Sequence, residues 1–352
     1  MYLRSLTLTD FRCLRDLSFE PDPEGVTVVT GPNGTGKTSV LEAIAYLATQ
    51  QSFRGVPRES LVRVGATAAV VRGVAVAGER SVSVDAEVSL ATRSRMLVNG
   101  QPVRRRSDLD NGVQATVFTP EDTEVVRGGP AARRRFLDDA VALVTPVEAA
   151  HIETVERVLR QRAALLKRSH GHVNGDLATT LDVWDQRLAA AGTALSEARE
   201  RVLSALAPEA TETVTQLTGS RTAVGLTYRR SWNGSLEDAL AAGRADDLVR
   251  GTTLVGPHRD DVELTLDGLA ARTHASQGEQ RTLALALRLA THRLATPPVL
   301  LLDDVFSELD HHRAASLLAT VPPGQTLLTT AVPPPPTVPV AATIVLGQGA
   351  AA

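Results

Sequence analysis

The strongest constraint on the fold of this chain is one octapeptide, G-P-N-G-T-G-K-T at residues 31–38. Its spacing, G-x-x-x-x-G-K-[ST], is that of a phosphate-binding loop. Glycines at positions 31, 34 and 36 let the backbone take positive φ and turn its N–H groups toward phosphate oxygens. Lys37 places a compact positive charge on the β and γ phosphates, and the Thr38 hydroxyl is suited to ligate Mg²⁺.

The segments on either side of the loop support this prediction. Residues 26–30 are a short β-branched run, which predicts a strand, and residues 39–49 are typical of a helix with Val40, Ile44 and Leu47 on one face. The order strand, loop, helix brings the positive end of a helix dipole to the phosphates. We therefore predict a nucleotide-binding site; the alternative is a glycine-rich turn that binds nothing.

A phosphate loop needs a second strand that delivers a carboxylate to the metal ion. Residues 299–302 are continuously apolar and end in Asp303 and Asp304, which predicts a buried parallel strand with acids at its carboxyl end. Ligands of open α/β sheets bind at that edge. We expect Asp303 to ligate Mg²⁺ and Asp304 to polarise an attacking water, although such a pair can also simply cap a strand.

The distance between the two motifs predicts an insertion. About 265 residues separate them, whereas one βαβ unit needs roughly 30. Residues 131–217 lack strand signals and show two apolar helical stripes, the first over 152–166 and the second over 177–202, on either side of a glycine turn at 171–175. This pattern predicts an antiparallel helical hairpin between two halves of one nucleotide-binding sheet.

Other segments predict antiparallel strands. Residues 67–98 alternate polar and apolar side chains and then turn at Asn99-Gly100, which predicts an antiparallel meander. The run E-L-T-L-D-G-L at 263–269 predicts a further hairpin strand. Near the end of the chain, four consecutive prolines cannot join a central strand, so we expect an irregular tail around a short edge strand at 343–346.

The composition is that of an ordinary soluble globular chain, with 352 residues, 43% hydrophobic and 22% charged. No apolar run approaches the roughly 20 residues that span a bilayer, and the N-terminal residues lack the pattern of a signal peptide. The single cysteine, Cys13, cannot form an internal disulfide. We therefore expect a cytoplasmic protein with no membrane partner.

Ser276-Gln277-Gly278-Glu279-Gln280 opens a long helical pattern over 281–295. Ser276 is a natural N-cap with Glu279 at the capping-box position, so a capped helix is the simplest interpretation. Its place about 25 residues before the acidic strand also matches the signature segment of ABC-type ATPases. Ser307-Glu308-Leu309-Asp310 matches the D-loop of that family. Together these two matches imply a head-to-tail pair of subunits that share two ATP molecules.

Within this class the sequence resembles the RecF family of SMC-like DNA recombination and repair ATPases. The resemblance covers nearly the whole chain and is carried by eight motifs: L-T-D-F-R at 8–12, the loop and following helix at 31–44, S-F-R at 52–54, F-T-P-E-D at 118–122, R-R-R-F-L-D at 133–138, G-P-H-R-D-D at 256–261, S-Q-G-E-Q-R at 276–281 and L-L-D-D-V-F-S-E-L-D at 301–310. A short insert distinguishes the chain from true SMC proteins, whose coiled coils are far longer.

The resemblance implies an α/β fold: an ABC-type P-loop ATPase head with mixed parallel and antiparallel sheets, plus a helical arm inserted between its halves. We expect the first half of the head at 1–128, the arm at 129–249, and the second half at 250–352. The implied function is ATP binding, dimerisation on ATP at single-strand/double-strand DNA boundaries, and slow, DNA-dependent ATP hydrolysis. RecR, with RecO and RecA, would be the partners in gap repair and the SOS response.

The resemblance also implies roles for individual residues. Thr38 and Asp303 would bind Mg²⁺, Asp304 would orient the water, and Ser276 would reach the γ-phosphate of the partner subunit's ATP. Lys37, Asp304 and Ser276 would be the catalytic residues. The nucleotide would be bound by Gly31, Pro32, Asn33, Gly34, Thr35, Gly36, Lys37, Thr38 and Ser39, with Arg12 near it and with Ser276, Gly278 and Asp310 acting from the signature segment and the D-loop.

A net charge of -3 gives no support for DNA binding, because nucleic-acid-binding domains usually carry excess positive charge. Local basic clusters are the candidates, although each can also be a solvated face: 104–106, 133–135, and Arg157, Arg160, Arg162, Lys167 and Arg168 on the first arm helix. No aromatic residues are interleaved with these arginines. Contacts with DNA should therefore be with phosphates and independent of sequence.

Three other functions share part of this pattern. The ATPase subunit of a transporter has the same loop, signature and D-loop, but the long insert and the absence of a switch histidine argue against it. A small-molecule kinase would not need Ser276 or Asp310. A related defence-system ATPase would have a similar head, but the sequence shows no nuclease motif.

Overall fold

The computed structural model describes residues 1–104, 106–109, 112–169, 175–295, 298–306, 316–317, 319–331 and 339–347. In chain order its strands are β1 (Tyr2–Phe11), β2 (Leu14–Phe19), β3 (Val26–Thr30), β4 (Ala68–Ala77), β5 (Arg80–Ser89), β6 (Arg95–Val98), β7 (Gln101–Pro102), β8 (Ala115–Phe118), β9 (Val224–Arg229), β10 (Asp261–Leu266), β11 (Leu269–Ala270), β12 (Val299–Leu302), β13 (Thr326–Thr330) and β14 (Val340–Val345).

The described residues form eight α-helices. They are α1 (Lys37–Thr49), α2 (Glu124–Arg127), α3 (Pro130–Val144), α4 (Ala149–Ser169), α5 (Gly175–Thr218), α6 (Leu236–Arg250), α7 (Ala271–His274) and α8 (Gln277–Leu294). Of these, α2 to α5 follow one another between β8 and β9. None of the described helices is long and apolar enough to cross a membrane.

The chain divides into two compact units. The head unit comprises Met1–Asp122, Glu212–Arg221 and Leu285–Ala352, and the arm unit comprises Thr123–Thr211 and Thr222–Ala284. This grouping differs from the division at 128 and 249 that we expected, because the segment from 250 to 284, with the signature serine, packs as part of the arm unit.

The head unit contains a five-stranded sheet in the order β14-β3-β13-β12-β8, in which every pairing is parallel. The strand predicted at 299–302 is β12, and all four of its residues are buried. Buried parallel strands are apolar throughout because both faces are covered. β14 lies at the edge of the sheet, as predicted for the C-terminal strand. The proline run before it lies outside the described residues.

A six-stranded sheet in the order β2-β1-β4-β5-β6-β7 forms the antiparallel part of the head unit. It confirms the predicted meander, and its tight turn at Asn99-Gly100 has positive φ at both residues. The head therefore combines parallel and antiparallel pairing, as predicted, but in separate sheets. The Gln325 side chain joins the two by accepting from Leu3 N–H (2.7 Å) and donating to Leu3 C=O (2.8 Å).

Helix α1 is buried on all sides. Residues 39–47 are buried without interruption, and they pack in one core with side chains from β1, β4 and β5 of the antiparallel sheet and from β3, β12 and β13 of the parallel sheet. A helix that is buried on all sides lies in the interior of the fold. The position of α1, and with it the start of the helix after the phosphate loop, is therefore fixed by both sheets.

The arm unit contains the predicted helical pair. α4 buries one face that includes Ile152, Val155 and Leu166, while its opposite face is exposed. The predicted turn, with His170 and His172, falls on residues 170–174, which lie outside the described residues. Arg162 of α4 contacts Asp185 of α5, as expected for helices that double back across a short connection.

The arm unit also contains a three-stranded antiparallel sheet, β11-β10-β9. The hairpin of β10 and β11 confirms the strand predicted at 263–269, with Asp267 and Gly268 in the turn, both at positive φ. β9 was not predicted. Its alternation of Val224, Leu226 and Tyr228 is a period-two signal, but it is only six residues long and follows a long helical pattern.

Charged groups at the centre of the arm unit connect three helices. Arg162 is fully buried, and its guanidinium donates to Asp185 (2.6 Å) and to Asp247 (2.7 Å), so that α4, α5 and α6 meet at one side chain. It also donates to Thr253 Oγ1 at 2.8 Å. The Asp247 carboxylate is itself fully buried and accepts from Leu254 N–H. Arg162 thus supplies its counter-charge.

Replacing Arg162 with methionine should destabilise the arm unit by about 3–5 kcal/mol, because the buried Asp247 carboxylate then has no counter-charge. Arg160 on the same helix is the control: it is exposed and lies 3.7 Å from Glu156, so Arg160→Met should change stability by less than about 0.5 kcal/mol. Both tryptophans, Trp184 and Trp232, lie in the arm unit, so urea unfolding followed by tryptophan fluorescence reports this unit. Equal unfolding midpoints for the two variants would contradict the prediction.

Candidate nucleotide-binding site

The loop between β3 and α1 has the backbone that its glycines predict. Gly31, Gly34 and Gly36 all have positive φ, at 150°, 84° and 97°. Gly36 is the N-cap residue of α1 and has left-handed backbone angles. Positive-φ glycines in such a loop turn successive N–H groups to one side and create a concavity for anions, which the N-terminus of α1 reinforces.

Two of these glycines are also required by their neighbours. A Cβ atom at Gly36 would lie 2.8 Å from Leu14 Cδ2 and 2.9 Å from Cys13 Sγ, and one at Gly31 would lie 2.5 Å from the Leu346 carbonyl oxygen. The turn between β1 and β2 and the end of β14 thus pack directly against the loop. Any side chain at either position would push this loop out of shape.

Lys37 places its ammonium group inside the turn of the loop. Its Nζ atom lies 2.8 Å from the carbonyl oxygen of Gly31, 3.0 Å from that of Pro32 and 3.4 Å from Asn33 Oδ1. Three acceptors therefore lie within hydrogen-bonding distance of one nitrogen. A compact ammonium with three rotatable donors suits this geometry, and a planar guanidinium does not.

The phosphate loop and the acidic strand meet through one hydrogen-bonded pair. Thr38 Oγ1 lies 2.9 and 3.1 Å from the two carboxylate oxygens of Asp303, although 265 residues separate the two in sequence. Thr329, at the end of β13, donates its hydroxyl hydrogen to Asp303 Oδ1 at 2.6 Å and accepts from Asp304 N–H at 3.0 Å. No role was predicted for Thr329, whose only signal in the sequence is its position at the end of a neighbouring strand.

Asp303 is buried, and burial raises the pKa of its carboxyl above the ordinary value. Hydrogen bonds from Thr329 and Thr38 lower this pKa, while the nearby charges of Asp304 and Glu121 raise it. A desolvated carboxylate with other acids nearby is stabilised by a cation. The site therefore combines a hydroxyl and a carboxylate oxygen, both hard ligands of the kind that Mg²⁺ takes.

Among the described residues no group of three or more His, Cys, Asp or Glu side chains could by itself hold a metal ion. This agrees with the chemistry of Mg²⁺, which keeps several waters and is usually held by one or two protein ligands together with substrate phosphates. Thr38 and Asp303 are the residues of this site that could contribute ligands to a nucleotide-bound Mg²⁺.

Asp304 follows Asp303 but is held differently. Its backbone is left-handed (φ 45°), an uncommon conformation for a residue other than glycine, and its side chain is half-buried. Strained backbone of this kind is concentrated at functional sites, where the surrounding structure enforces it. The hydrogen bond from Asp304 N–H to Thr329 is one such constraint.

Arg12, which we expected near the nucleotide, lies in a cluster around Glu42. Its Nε and Nη2 atoms donate to the two oxygens of the fully buried Glu42 carboxylate at 2.8 and 2.6 Å, and Nη1 donates to Ser60 C=O at 2.9 Å. The Ser52 hydroxyl also donates to Glu42. The motifs L-T-D-F-R and S-F-R are thus both anchored to α1 by Glu42, a residue that sequence analysis did not single out.

The predicted capping box of α8 is present. Glu279 N–H donates to Ser276 Oγ at 3.3 Å, while Ser276 N–H and Oγ–H donate to Glu279 Oε2 at 2.8 and 2.7 Å. Ser276 and Glu279 are exposed, and Gly278 is half-buried in the first turn. The structure places these residues in the arm unit and the phosphate loop in the head unit. Asp310 and the rest of the D-loop lie outside the described residues.

The structure corrects the prediction for three arginines of the basic clusters, whereas Arg135 of the run at 133–135 is exposed. Arg133 is buried and donates bidentately to Asp261 at 2.7 and 3.0 Å, and the half-buried Arg134 donates to Asp260 C=O at 2.7 Å. Arg162 is fully buried in the network described above. These side chains are neither a solvated face nor available to phosphates, because each is held by groups of its own unit.

The remaining cations of α4 lie on its solvent side: Arg157, Arg160, Lys167 and Arg168. Their helical spacing places them on one side of the helix, opposite the buried residues. They form one exposed stripe, which we call the α4 stripe; the exposed acids Glu153 and Glu156 lie on the same side, and Glu156 is 3.7 Å from Arg160.

Known proteins are similar to this chain over most of its length. A family model described as the RecF/RecN/SMC N terminal domain matches residues 2–326. The DNA replication and repair protein RecF of Frankia alni is 43% identical over 338 residues, which cover 89% of this chain and 88% of that protein. The protein of the same name from Acidothermus cellulolyticus is 41% identical over 330 residues and covers 89% of each chain.

Solved structures agree with these relatives. A structure of the recombination mediator protein RecF-ATP in the RecFOR pathway matches with a TM-score of 0.87 and 27% identity, covering 98% of this chain and 97% of that chain. An SMC head bound to the C-winged helix domain of ScpA matches with a TM-score of 0.56 at 16% identity, over 94% of this chain and 90% of that chain, which shows a shared fold.

Replacing Lys37 with arginine should weaken binding of a fluorescent ATP analogue about tenfold or more, because the guanidinium cannot place one donor among the three acceptors. Lys167 is the control, since it is exposed on α4 and Lys167→Arg should bind nucleotide as the unchanged protein does. A fluorescence titration with Mg²⁺ present measures both. Unchanged affinity in Lys37→Arg would refute the role given to this ammonium group.

Proposed function

The chain belongs to the RecF family of SMC-like ATPases, and from this premise we propose that it is an ATP- and Mg²⁺-dependent DNA-binding protein that dimerises on ATP and hydrolyses it slowly. The observation that carries the proposal is the contact of Thr38 with Asp303. This contact places the loop that would bind the phosphates next to the carboxylate that would bind the Mg²⁺ of the nucleotide.

Each residue of the site has a distinct task in this proposal. The loop from Gly31 to Ser39 binds the phosphates through backbone N–H groups, and Lys37 compensates their charge. Thr38 and Asp303 would hold the Mg²⁺, which would supply positive charge to neutralise the phosphates. Thr329 keeps the Asp303 carboxylate in place. Asp304 orients the attacking water, and Arg12 positions the turn at residues 12–14 against the loop through Glu42.

Dimerisation would complete the site. In the proposed pair each subunit contributes Ser276, with Gly278 and Asp310, to the ATP that its partner binds. The support is the resemblance of residues 276–281 and 301–310 to the signature segment and D-loop, together with the exposure of Ser276 at the start of α8. A head-to-tail pair of this kind is symmetric and closed, because each subunit gives and receives the same contact.

The proposed substrate is DNA at a gap or at a boundary between single and double strands, contacted without sequence preference. The RecF structures similar to this chain are described as a recombination mediator in the RecFOR pathway. We accordingly propose RecR, with RecO, as partners, and RecA loading during gap repair and the SOS response as the outcome. Membership of the RecF family excludes the transporter-subunit interpretation.

Two substitutions separate ATP binding, dimerisation and hydrolysis. Asp304→Asn should lower ATP turnover about a hundredfold or more and trap an ATP-bound dimer, because the amide cannot accept a proton from the water. Ser276→Arg should bind ATP normally but remain monomeric. Size-exclusion chromatography with light scattering, with and without MgATP, measures the association state. If Ser276→Arg dimerises as the unchanged protein does, the role across the interface is wrong.

The α4 stripe is the proposed contact for DNA phosphates. Changing its four cations to glutamine should weaken binding to gapped DNA and reduce the slope of log affinity against log salt by about 0.7–0.9 for each phosphate that is no longer neutralised. Arg229→Gln is the control, since Arg229 is an exposed arginine of the same unit that pairs with Glu263. Fluorescence anisotropy between about 50 and 200 mM salt, a range in which phosphate contacts dominate, measures the slope. A flat titration of the unchanged protein would contradict DNA binding by phosphate contacts.

A further inference from the structure

The capping box of α8 uses the Ser276 hydroxyl, the group that the proposed function assigns to a phosphate. Ser276 N–H and Ser276 Oγ–H donate to the same oxygen, Oε2 of Glu279, at 2.8 and 2.7 Å. In the proposed dimer, the Ser276 hydroxyl is a donor to the γ-phosphate of the partner's ATP. The carboxylate of Glu279 and the phosphate are therefore competitors for one serine.

The negative charge of Glu279 also opposes the approach of a phosphate to Ser276. A hydrogen bond to a carboxylate is stronger than one to a neutral acceptor. Glu279 therefore holds the Ser276 hydroxyl more firmly than a side-chain amide at position 279 would. The same carboxylate lies at the N-terminus of α8, where a helix favours one anion and two anions repel each other. A phosphate that approaches Ser276 must therefore displace a negatively charged ligand.

We propose that Glu279 is a latch on the signature serine: it stabilises α8 in the separate subunit and must release Ser276 before two subunits can close on ATP. This inference rests on the proposed function, because it assumes that Ser276 acts across the dimer interface. Glu279 acts through Ser276 and is a positioning residue. It sets the ATP concentration at which the dimer forms, and it does not change how the phosphate loop of the separate subunit binds ATP.

Glutamine at position 279 separates the latch from the cap. A capping box accepts Glu or Gln at this position, so Glu279→Gln keeps an acceptor for Ser276 N–H and should leave the start of α8 intact. The substitution removes only the negative charge and the stronger acceptor. The thermal unfolding midpoint of Glu279→Gln should therefore match that of the unchanged protein. If Glu279 only stabilised α8, the substitution would not alter dimerisation while leaving this midpoint unchanged.

The arm unit contains a second box that serves as a matched control. Ser235 caps α6, its hydroxyl donates to Asp238 Oδ2 at 2.6 Å, and Asp238 N–H donates to Ser235 Oγ at 3.0 Å. The serine and the acid have the same spacing as in α8, and both are exposed. Asp238→Asn thus removes an equivalent charge from a helix outside the signature segment.

The test titrates MgATP against dimer formation, measured by light scattering, for the unchanged protein, Glu279→Gln and Asp238→Asn. We expect Glu279→Gln to dimerise at an ATP concentration about two- to fivefold lower, and Asp238→Asn to behave as the unchanged protein. Binding of a fluorescent ATP analogue to the monomeric Ser276→Arg protein should be the same with and without Glu279→Gln.

Three results would overturn the latch. They are an unchanged or higher ATP requirement in Glu279→Gln, an equal shift in Asp238→Asn, or a change in ATP affinity of the monomer. Failure of the proposed function is recognised separately, because Ser276→Arg would then dimerise on ATP. If Ser276→Arg stays monomeric and Glu279→Gln matches the unchanged protein, the latch alone is wrong.

Discussion

The hydrogen bond between Thr38 and Asp303 is the interaction on which the rest of the structure depends. It requires that β3 and β12, with β13 between them, run parallel and end at the same edge of one sheet. The two side chains are 265 positions apart in sequence, and the arm unit is inserted between them. The entropy cost of closing a loop grows slowly with its length, so a helical arm is tolerated there.

Arginines of both units pair with carboxylates that are buried or half-buried. Arg12 holds Glu42, Arg162 holds Asp185 and Asp247, and Arg199 holds Asp138 at 2.8 and 2.9 Å. A buried ion pair adds little net stability, but losing one partner is costly, because a charge is then left without compensation. At Glu42 and Asp138 the planar guanidinium donates to both oxygens of one carboxylate, which fixes the direction from which one element approaches another.

Local sequence patterns predicted individual helices, strands and loops. The contacts between elements that are distant in sequence were not predictable from such patterns. The loop at 31–38, the strand at 299–302 and the capping box of Ser276 each follow from a few adjacent residues. Burial of Arg162 does not, because a charged residue on a helix is usually solvated and only its distant partners Asp185 and Asp247 draw it inward. The role of Thr329 depends likewise on which strand lies beside β12, and a sequence pattern does not define sheet order.

The choice of lysine at position 37 follows from the difference between a compact ammonium group and a planar guanidinium group. Of 37 basic residues only Lys37 and Lys167 are lysines, so the composition strongly favours arginine. Where a carboxylate must be held, as at Glu42, a guanidinium meets both oxygens in one plane. At Lys37 three acceptors lie within 3.4 Å of one nitrogen, and a phosphate would add another. An ammonium group can rotate its three N–H donors toward several acceptors near one nitrogen, whereas a guanidinium holds its donors in one plane. Lysine is therefore retained at position 37 despite the bias toward arginine.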